Sequence, residues 1–263
     1  MSITKYSDRC LIKQRSLYLV MLTNQLDLSF PEFKEFFDGR LKSKTAQFIL
    51  TKYGIPSRIA NMNSQSFELL NKVSHGKFSY AKFAKLKELA KNTIGCSSEI
   101  DEMLFTLTIN LYQSIDEAIT NVESKITEIM EKLDSPIASI PGIGLMSAAT
   151  IIAEYGDISR FANDGQMLAY AGLDSGRYQS GTSDYPGRMV KHGSGYLRQT
   201  LMNVAETCMI HVPSFYDYYL KKRNEGKSHR VALSHIARKL VRLIYKLETS
   251  HTHFDLSVFN SQH

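Results

Sequence analysis

The stretch from Ser98 to Leu133, SEIDEMLFTLTINLYQSIDEAITNVESKITEIMEKL, decides the fold class. Ser98 with Asp101 three residues on reads as a capping box at a helix start. Apolar residues then recur at Ile100, Leu104, Leu107, Leu111, Ile115, Ile119, Val122, Ile126, Ile129 and Leu133, always three or four apart. That spacing is a heptad seam with an interruption between Leu111 and Ile119, and the stretch contains neither Gly nor Pro. It predicts one continuous helix, roughly 50 Å long. Its seam needs cover, from the first helix of this chain or from a second subunit, and a plain long bundle helix fits the pattern as well.

Working outward, both flanks also read as helix. Upstream, an amphipathic helix over about Asp8 to Leu28 ends before Pro31, and Pro31 to Phe37 is a short aromatic turn of helix. Ser43, Pro56 and Ser79 each open a further short helix, Gly54 stops one and Gly95 closes the last. Residues 1–97 are therefore expected to form a compact helical subdomain and 98–134 the long coiled-coil-like helix. Downstream, Asp134-Ser135-Pro136 ends the rod. Residues 135–250 carry their own apolar content and are expected to form a separate helical domain, with 251–263 a tail. The expected fold class is mainly α, with a helix-hairpin-helix-like element in the C-terminal domain.

Composition is that of an ordinary globular chain: 263 residues, 43% hydrophobic and 22% charged. No stretch is apolar enough for long enough to span a bilayer, and the charged start from Met1 to Arg15 is not a signal peptide. Cys10, Cys96 and Cys208 lie far apart in no pairing pattern, which fits a reducing cytoplasm and argues against a disulfide framework or a cysteine zinc site. The net charge of +6 is segregated. Residues 1–98 hold 16 basic against 7 acidic side chains, residues 99–133 hold 2 against 8, and residues 174–246 hold 13 against 5. Two basic blocks flanking an acidic rod are the footprint of a nucleic-acid binder, although many proteins carry basic patches without one.

Three segments carry chemistry. Ser139 to Gly144 (Ser-Ile-Pro-Gly-Ile-Gly) precedes a helix from about Ser147 to Tyr155. Gly142 and Gly144 would let a DNA phosphate approach unpartnered backbone N–H groups at that helix start, as in helix-hairpin-helix motifs. A tight turn between packed helices reads equally well. The second segment, Asp174 to Gly195, is a long polar, glycine-rich stretch expected to be a loop. It offers hydroxyls together with Arg177, Arg188, Lys191 and His192. A hydroxyl can attack phosphorus while cations neutralise the non-bridging oxygens, and a DNA-contacting loop without chemistry needs the same residues. Ser194 is placed to cap the next helix, which carries Arg198 in its first turns. The third segment is the last helix, capped by Ser228, where Arg238, Arg242 and Lys246 recur every four residues. With Arg230 and Lys239 they make a basic stripe suited to a DNA backbone, or simply a solvated face.

These residues carry a resemblance. The ordered string Ile140-Pro141-Gly142-Ile143-Gly144, Glu154-Tyr155-Gly156-Asp157-Ile158, Arg160-Phe161, Tyr170-Ala171-Gly172-Leu173, Tyr178-Gln179-Ser180-Gly181, Gly187-Arg188, Lys191-His192-Gly193 and Tyr196-Leu197-Arg198 is similar to the C-terminal domain of insertion-sequence transposases of the IS-one-ten (IS-one-sixteen) type. The tail Gly226-Lys227-Ser228-His229-Arg230 through Leu240 continues it, as do Leu11 to Arg15, Phe30 to Phe33 and Ser43 to Ala46. The resemblance implies a DNA recombinase whose C-terminal domain supplies a serine nucleophile, here Ser180, with Ser183 and Ser175 as fallbacks. It implies Arg188, Lys191 and Arg198 as phosphate partners and His192 as an acid or base. It also implies a structured RNA guiding target choice, and an N-terminal RuvC-like domain whose four acidic residues hold divalent metal. No early acid here (Asp8, Asp27, Glu32, Glu35) has the matching context. The expectation is therefore a chain with no metal site or cofactor of its own, incomplete for transposition by itself, associating with itself through the coiled coil. The competing expectation is a non-catalytic DNA-binding remnant or regulator of intact element copies.

Overall fold

The computed structural model describes residues 4–180, 183–189 and 192–256, with side chains described over 10–174 and 192–256. The chain is mainly α, as expected: twelve α-helices and one two-stranded antiparallel hairpin among the described residues. It divides into two compact units, Ser7–Asn121 and Met1–Tyr6 with Val122–His263. No helix among the described residues is long and apolar enough to cross a membrane.

In the unit Ser7–Asn121, α1 (Thr4–Ser29) and α7 (Glu99–Leu133) run antiparallel. Arg15 donates to Asp116 at 2.8 Å, and Gln25 Nε2 donates to Thr108 Oγ1 at 3.1 Å. Leu22 and Leu26 share a core with Phe105 and Ile109, each burial contributing about 2 kcal/mol relative to exposure. Five short helices lie between them in sequence: α2 (Pro31–Phe36), α3 (Lys44–Lys52), α4 (Pro56–Ala60), α5 (Ser64–Val73) and α6 (Tyr80–Lys91). The expected caps are present where helix starts leave N–H groups unpaired. Ser43 accepts from Ala46 N, Ser79 from Lys82 N, and Ser98 and Asp101 bond reciprocally across the first turn of α7.

From Ile100 to Leu111 the seam read from the spacing is not the face that this unit buries, although Ile119, further along the same seam, is buried. Phe105, Thr108, Ile109, Tyr112 and Ile119 are buried, whereas Ile100 (70% exposed), Met103 (73%), Leu104, Leu107 (51%) and Leu111 are open. The helix is apolar on two faces. The one carrying the large rings, which bury the most area, faces the core.

In the unit beginning at Val122, Met130 of α7 joins a second core. A 3-10 turn (Pro136–Ser139) leads to α8 (Leu145–Tyr155), a second 3-10 turn (Ile158–Arg160) and α9 (Asp164–Ala171). Then come β1 (Ser175–Ser180), β2 (Ser183–Met189), α10 (Gly195–His211), α11 (Pro213–Asn224) and α12 (His229–Ser250). α12 packs against α9, α10 and α11 and buries Leu233, Ile236, Leu240, Ile244 and Leu247 at helical spacing. It starts after Ser228 as expected, but the Ser228 hydroxyl makes no capping bond; its carbonyl accepts from Ala232 N at 2.9 Å.

The polar stretch expected to be a loop is a hairpin. β1 and β2 pair antiparallel, with Tyr178 opposite Tyr185, Gln179 opposite Asp184 and Ser180 opposite Ser183, and the register is irregular between Ser175 and Arg177. Pairing satisfies backbone groups that a loop would leave to water.

Candidate nucleic-acid and phosphoryl-transfer site

Both feet of the hairpin are anchored to buried structure. The leading foot follows α9, which ends on Gly172 in the left-handed region at φ 65°. Leu173, fully buried, donates its N–H to the Leu168 carbonyl at 2.9 Å. Its own carbonyl accepts from Arg238 Nε at 2.7 Å. A guanidinium of α12 thus holds the chain two residues before β1. Burial pulls the Arg238 pKa down, Asp174 opposes that shift and Arg242 adds to it.

The returning foot is held more tightly. Gly193 sits at φ 118°, and a Cβ there would overlap the Tyr170 carbonyl oxygen, so only glycine fits. Ser194 N donates to that same carbonyl at 3.1 Å. The Ser194 hydroxyl donates to Glu154 Oε2 at 2.6 Å while accepting from Leu197 N at 3.1 Å, which caps α10. Glu154, on α8, is 3% exposed. A buried carboxylate is costly unless hydrogen-bonded, so it fixes where α10 starts relative to α8. Sequence reasoning assigned Glu154 no role. The available signal was a lone acid in the otherwise apolar helix from Leu145 to Tyr155.

Within the hairpin, Ser180 and Ser183 face each other at one end. Ser175, opposite Met189, lies at the other end, with Arg177 opposite Pro186 and Arg188 next to Met189. Ser183 and Arg188 are five positions apart on β2, roughly 16 Å along an extended strand. The register therefore groups Arg177 with Arg188 near the feet and puts Ser180 at the far end. Lys191 lies outside the described residues. His192 is exposed just beyond them, and Arg198 is half-buried in the first turn of α10.

The remaining candidates are dispersed. Gly142, at φ 94°, is required by packing: a Cβ would come within 2.6 Å of the Cys208 backbone nitrogen in α10, and Thr207 Oγ1 donates to the Gly142 carbonyl at 2.7 Å. Gly144 precedes α8 with open space around it. On α12, Arg230 is exposed, the Lys239 ammonium lies 4.0 Å from the centre of the Tyr218 ring, and Arg242 Nε is 3.2 Å from Asp164 Oδ2. Burial lowers the Lys239 pKa, with Lys221 and Arg242 adding to the shift. Arg160, also without an assigned role from sequence, is exposed and stacks on Phe161 at 4.7 Å and Tyr170 at 4.9 Å. The two rings, themselves edge-to-face at 5.5 Å, both offer a face to its guanidinium. Among the described residues there is no group of three or more His, Cys, Asp and Glu that could hold a metal ion.

Residues 134–220 match the family described as transposase IS116/IS110/IS902. It is 33% identical over 141 residues to the insertion element IS116 uncharacterized 44.8 kDa protein of Streptomyces clavuligerus, covering 51% of this chain and 34% of that one. It is 28% identical over 166 residues to the transposase for insertion sequence element IS1111A of Coxiella burnetii, covering 61% and 45%. A pilin gene-inverting protein of Moraxella bovis is 26% identical over 147 residues, covering 53% and 46%. The chain thus spans less than half the length of these three relatives.

Proposed function

We propose that residues 134–250 are the DNA-engaging, strand-transferring half of an insertion-sequence transposase, with the β1–β2 hairpin as the element that meets the phosphodiester. The observation that carries this reading is the hairpin's double anchorage, at Arg238–Leu173 and at Glu154–Ser194–Tyr170, which supports a polar, serine-bearing segment on a rigid base. In this reading the Ser180 oxygen attacks a DNA phosphorus. The hydroxyl proton passes to a base, for which His192 is the candidate. A new O–P bond forms as the P–O bond to the leaving strand breaks, and the leaving oxygen takes up a proton. Arg177, Arg188, Lys191 and Arg198 supply the charge that stabilises the phosphorane-like transition state. Gly144, Arg230, Arg238, Lys239 and Arg242 are the candidates for backbone contacts along the duplex. The open α7 face at Ile100, Met103, Leu104 and Leu107 supports self-association, for which loss of the higher oligomer in Leu104→Glu/Leu107→Glu, by sedimentation, is the expected result.

The test is covalent. Element-end DNA is incubated with the full chain, with and without a separately supplied nuclease domain, and a protein–DNA adduct through phosphoserine is sought. The expected result is an adduct abolished by Ser180→Ala and weakened about tenfold or more by Arg188→Ala at unchanged helix content. A second reading, a DNA-binding chain without strand transfer, is favoured by the register that separates Ser180 from Arg188. Binding that survives with no adduct under either condition would establish it.

A further inference from the structure

We propose that the corner between α5 and α6 binds an unpaired stretch of nucleic acid, with a base stacked on Tyr80 and the neighbouring phosphates on Lys72, Lys77 and Lys82. This surface lies in the unit Ser7–Asn121 and does not depend on the strand-transfer reading.

Residues 39–91 carry eleven Lys and Arg against two acids, Glu68 and Glu88. Four of the eleven are engaged: Arg40 with Asp38, Arg58 with Glu102, Lys87 with the Met62 carbonyl, and Lys52 over the Phe48 and Tyr53 rings. Lys72, Lys77, Lys82 and Lys85 are exposed, and among the described residues none is ion-paired. Four uncompensated cations so close in sequence repel one another, and a polyanion relieves that repulsion.

The corner is also rigid. α5 ends with His75 and Gly76 in the left-handed region, and Gly76 N donates to the Asn71 carbonyl at 2.9 Å. Phe78 is buried, and its N–H donates to Ser74 Oγ at 3.0 Å. Ser79 caps α6. With the turn fixed on both sides of it, Lys77 is presented from a set position.

Tyr80 is 65% exposed. Its ring is held edge-to-face on Phe67 at 5.3 Å and tilted against Phe83 at 6.0 Å. A ring that is supported from below and open above, with cations on both sides in sequence, is a stacking platform for a base whose backbone the cations track. An acidic peptide would use the cations and leave the ring idle. A duplex would offer phosphates but no free base face.

The experiment uses the full chain and labelled oligonucleotides of about a dozen residues, a site size typical of such platforms. A uridine-rich RNA, the matching thymidine-rich DNA and a duplex of equal length are followed by fluorescence anisotropy across a salt series. The single strands are expected to bind more tightly than the duplex. The triple variant Lys72→Gln/Lys77→Gln/Lys82→Gln is expected to lose about tenfold in affinity, and to lower the slope of log affinity on log salt by about 2, the release from three phosphates. Tyr80→Ala is expected to lose at least about fivefold and Tyr80→Phe almost nothing. A 5-bromouracil oligonucleotide should photocrosslink to the peptide carrying Tyr80. The RNA and DNA arms say which strand chemistry the corner prefers, and tight binding of either supports the proposal. It is overturned if the duplex binds as well as the single strands, or if Tyr80→Ala leaves single-strand affinity unchanged. It is equally overturned if Lys221→Gln/Lys222→Gln/Arg223→Gln, the same charge loss in the other unit, has the same effect on single strands as the triple variant.

Discussion

The two basic regions hold similar cations in different ways. On α12, Arg238 is tied to a carbonyl, Lys239 sits on a tyrosine ring and Arg242 meets an acid. At the α5–α6 corner, Lys72, Lys77 and Lys82 reach solvent without an acid partner. Removing Arg238 should disturb folding, because it satisfies a buried carbonyl, whereas Lys239 and the largely exposed Arg242 contribute less to folding. Removing a cation from the second region should disturb only what binds there. Charge density in the sequence is comparable in both, so burial and partners decide which cations are free for a ligand.

The sharpest test of this contrast lies at the hairpin's returning foot. Gly193→Ala forces a methyl group into the Tyr170 carbonyl at a φ that L-residues avoid, and is expected to cost about 3 kcal/mol in denaturant titration. A cost under about 0.5 kcal/mol would mean that the foot is not anchored as described. Next in size is Arg238→Met, which leaves the buried Leu173 carbonyl unpaired at a cost of about 2 kcal/mol, whereas Lys77→Met at the corner should stay within about 0.5 kcal/mol. Equal costs would erase the distinction between the two regions. The smallest effect is a pH dependence. Burial lowers the His235 pKa below 6.5, with Arg238, Lys222 and Lys227 reinforcing the shift and Glu225 opposing it. The unfolded chain then binds the extra proton more readily than the folded one. Stability is thus fully present above the unfolded value and declines as pH falls through it toward the folded value. His235→Gln should flatten that slope; an unchanged slope would assign it to other groups.

Much of the architecture was readable without coordinates, because its signals are local. Ser43, Ser79, Ser98 and Ser194 cap the helices their positions suggested, Pro31, Pro56 and Pro213 open helices, and Gly156, Gly172 and Gly226 stop them. The sequence of the hairpin reads as a loop because its composition is polar and glycine-rich. The contrary signal was Gly181-Thr182 between two serines, a two-residue connection of a kind that favours hairpins. Glu154 and Arg160 were passed over for a different reason. Their importance lies in partners 40 residues away at Ser194 and 10 residues away at Tyr170, and pattern reading along a chain does not connect such pairs.

From residue order alone follow the helical class, the helix boundaries, the two basic blocks and the resemblance to insertion-sequence transposases, since caps, periodicity and motif spacing act within a few residues. Tertiary structure alone decided which apolar face of α7 is buried, which cations are engaged, and that Gly142 serves a helix contact. Each of these depends on groups far apart in sequence meeting at van der Waals or hydrogen-bond distance, and only the folded chain specifies those meetings.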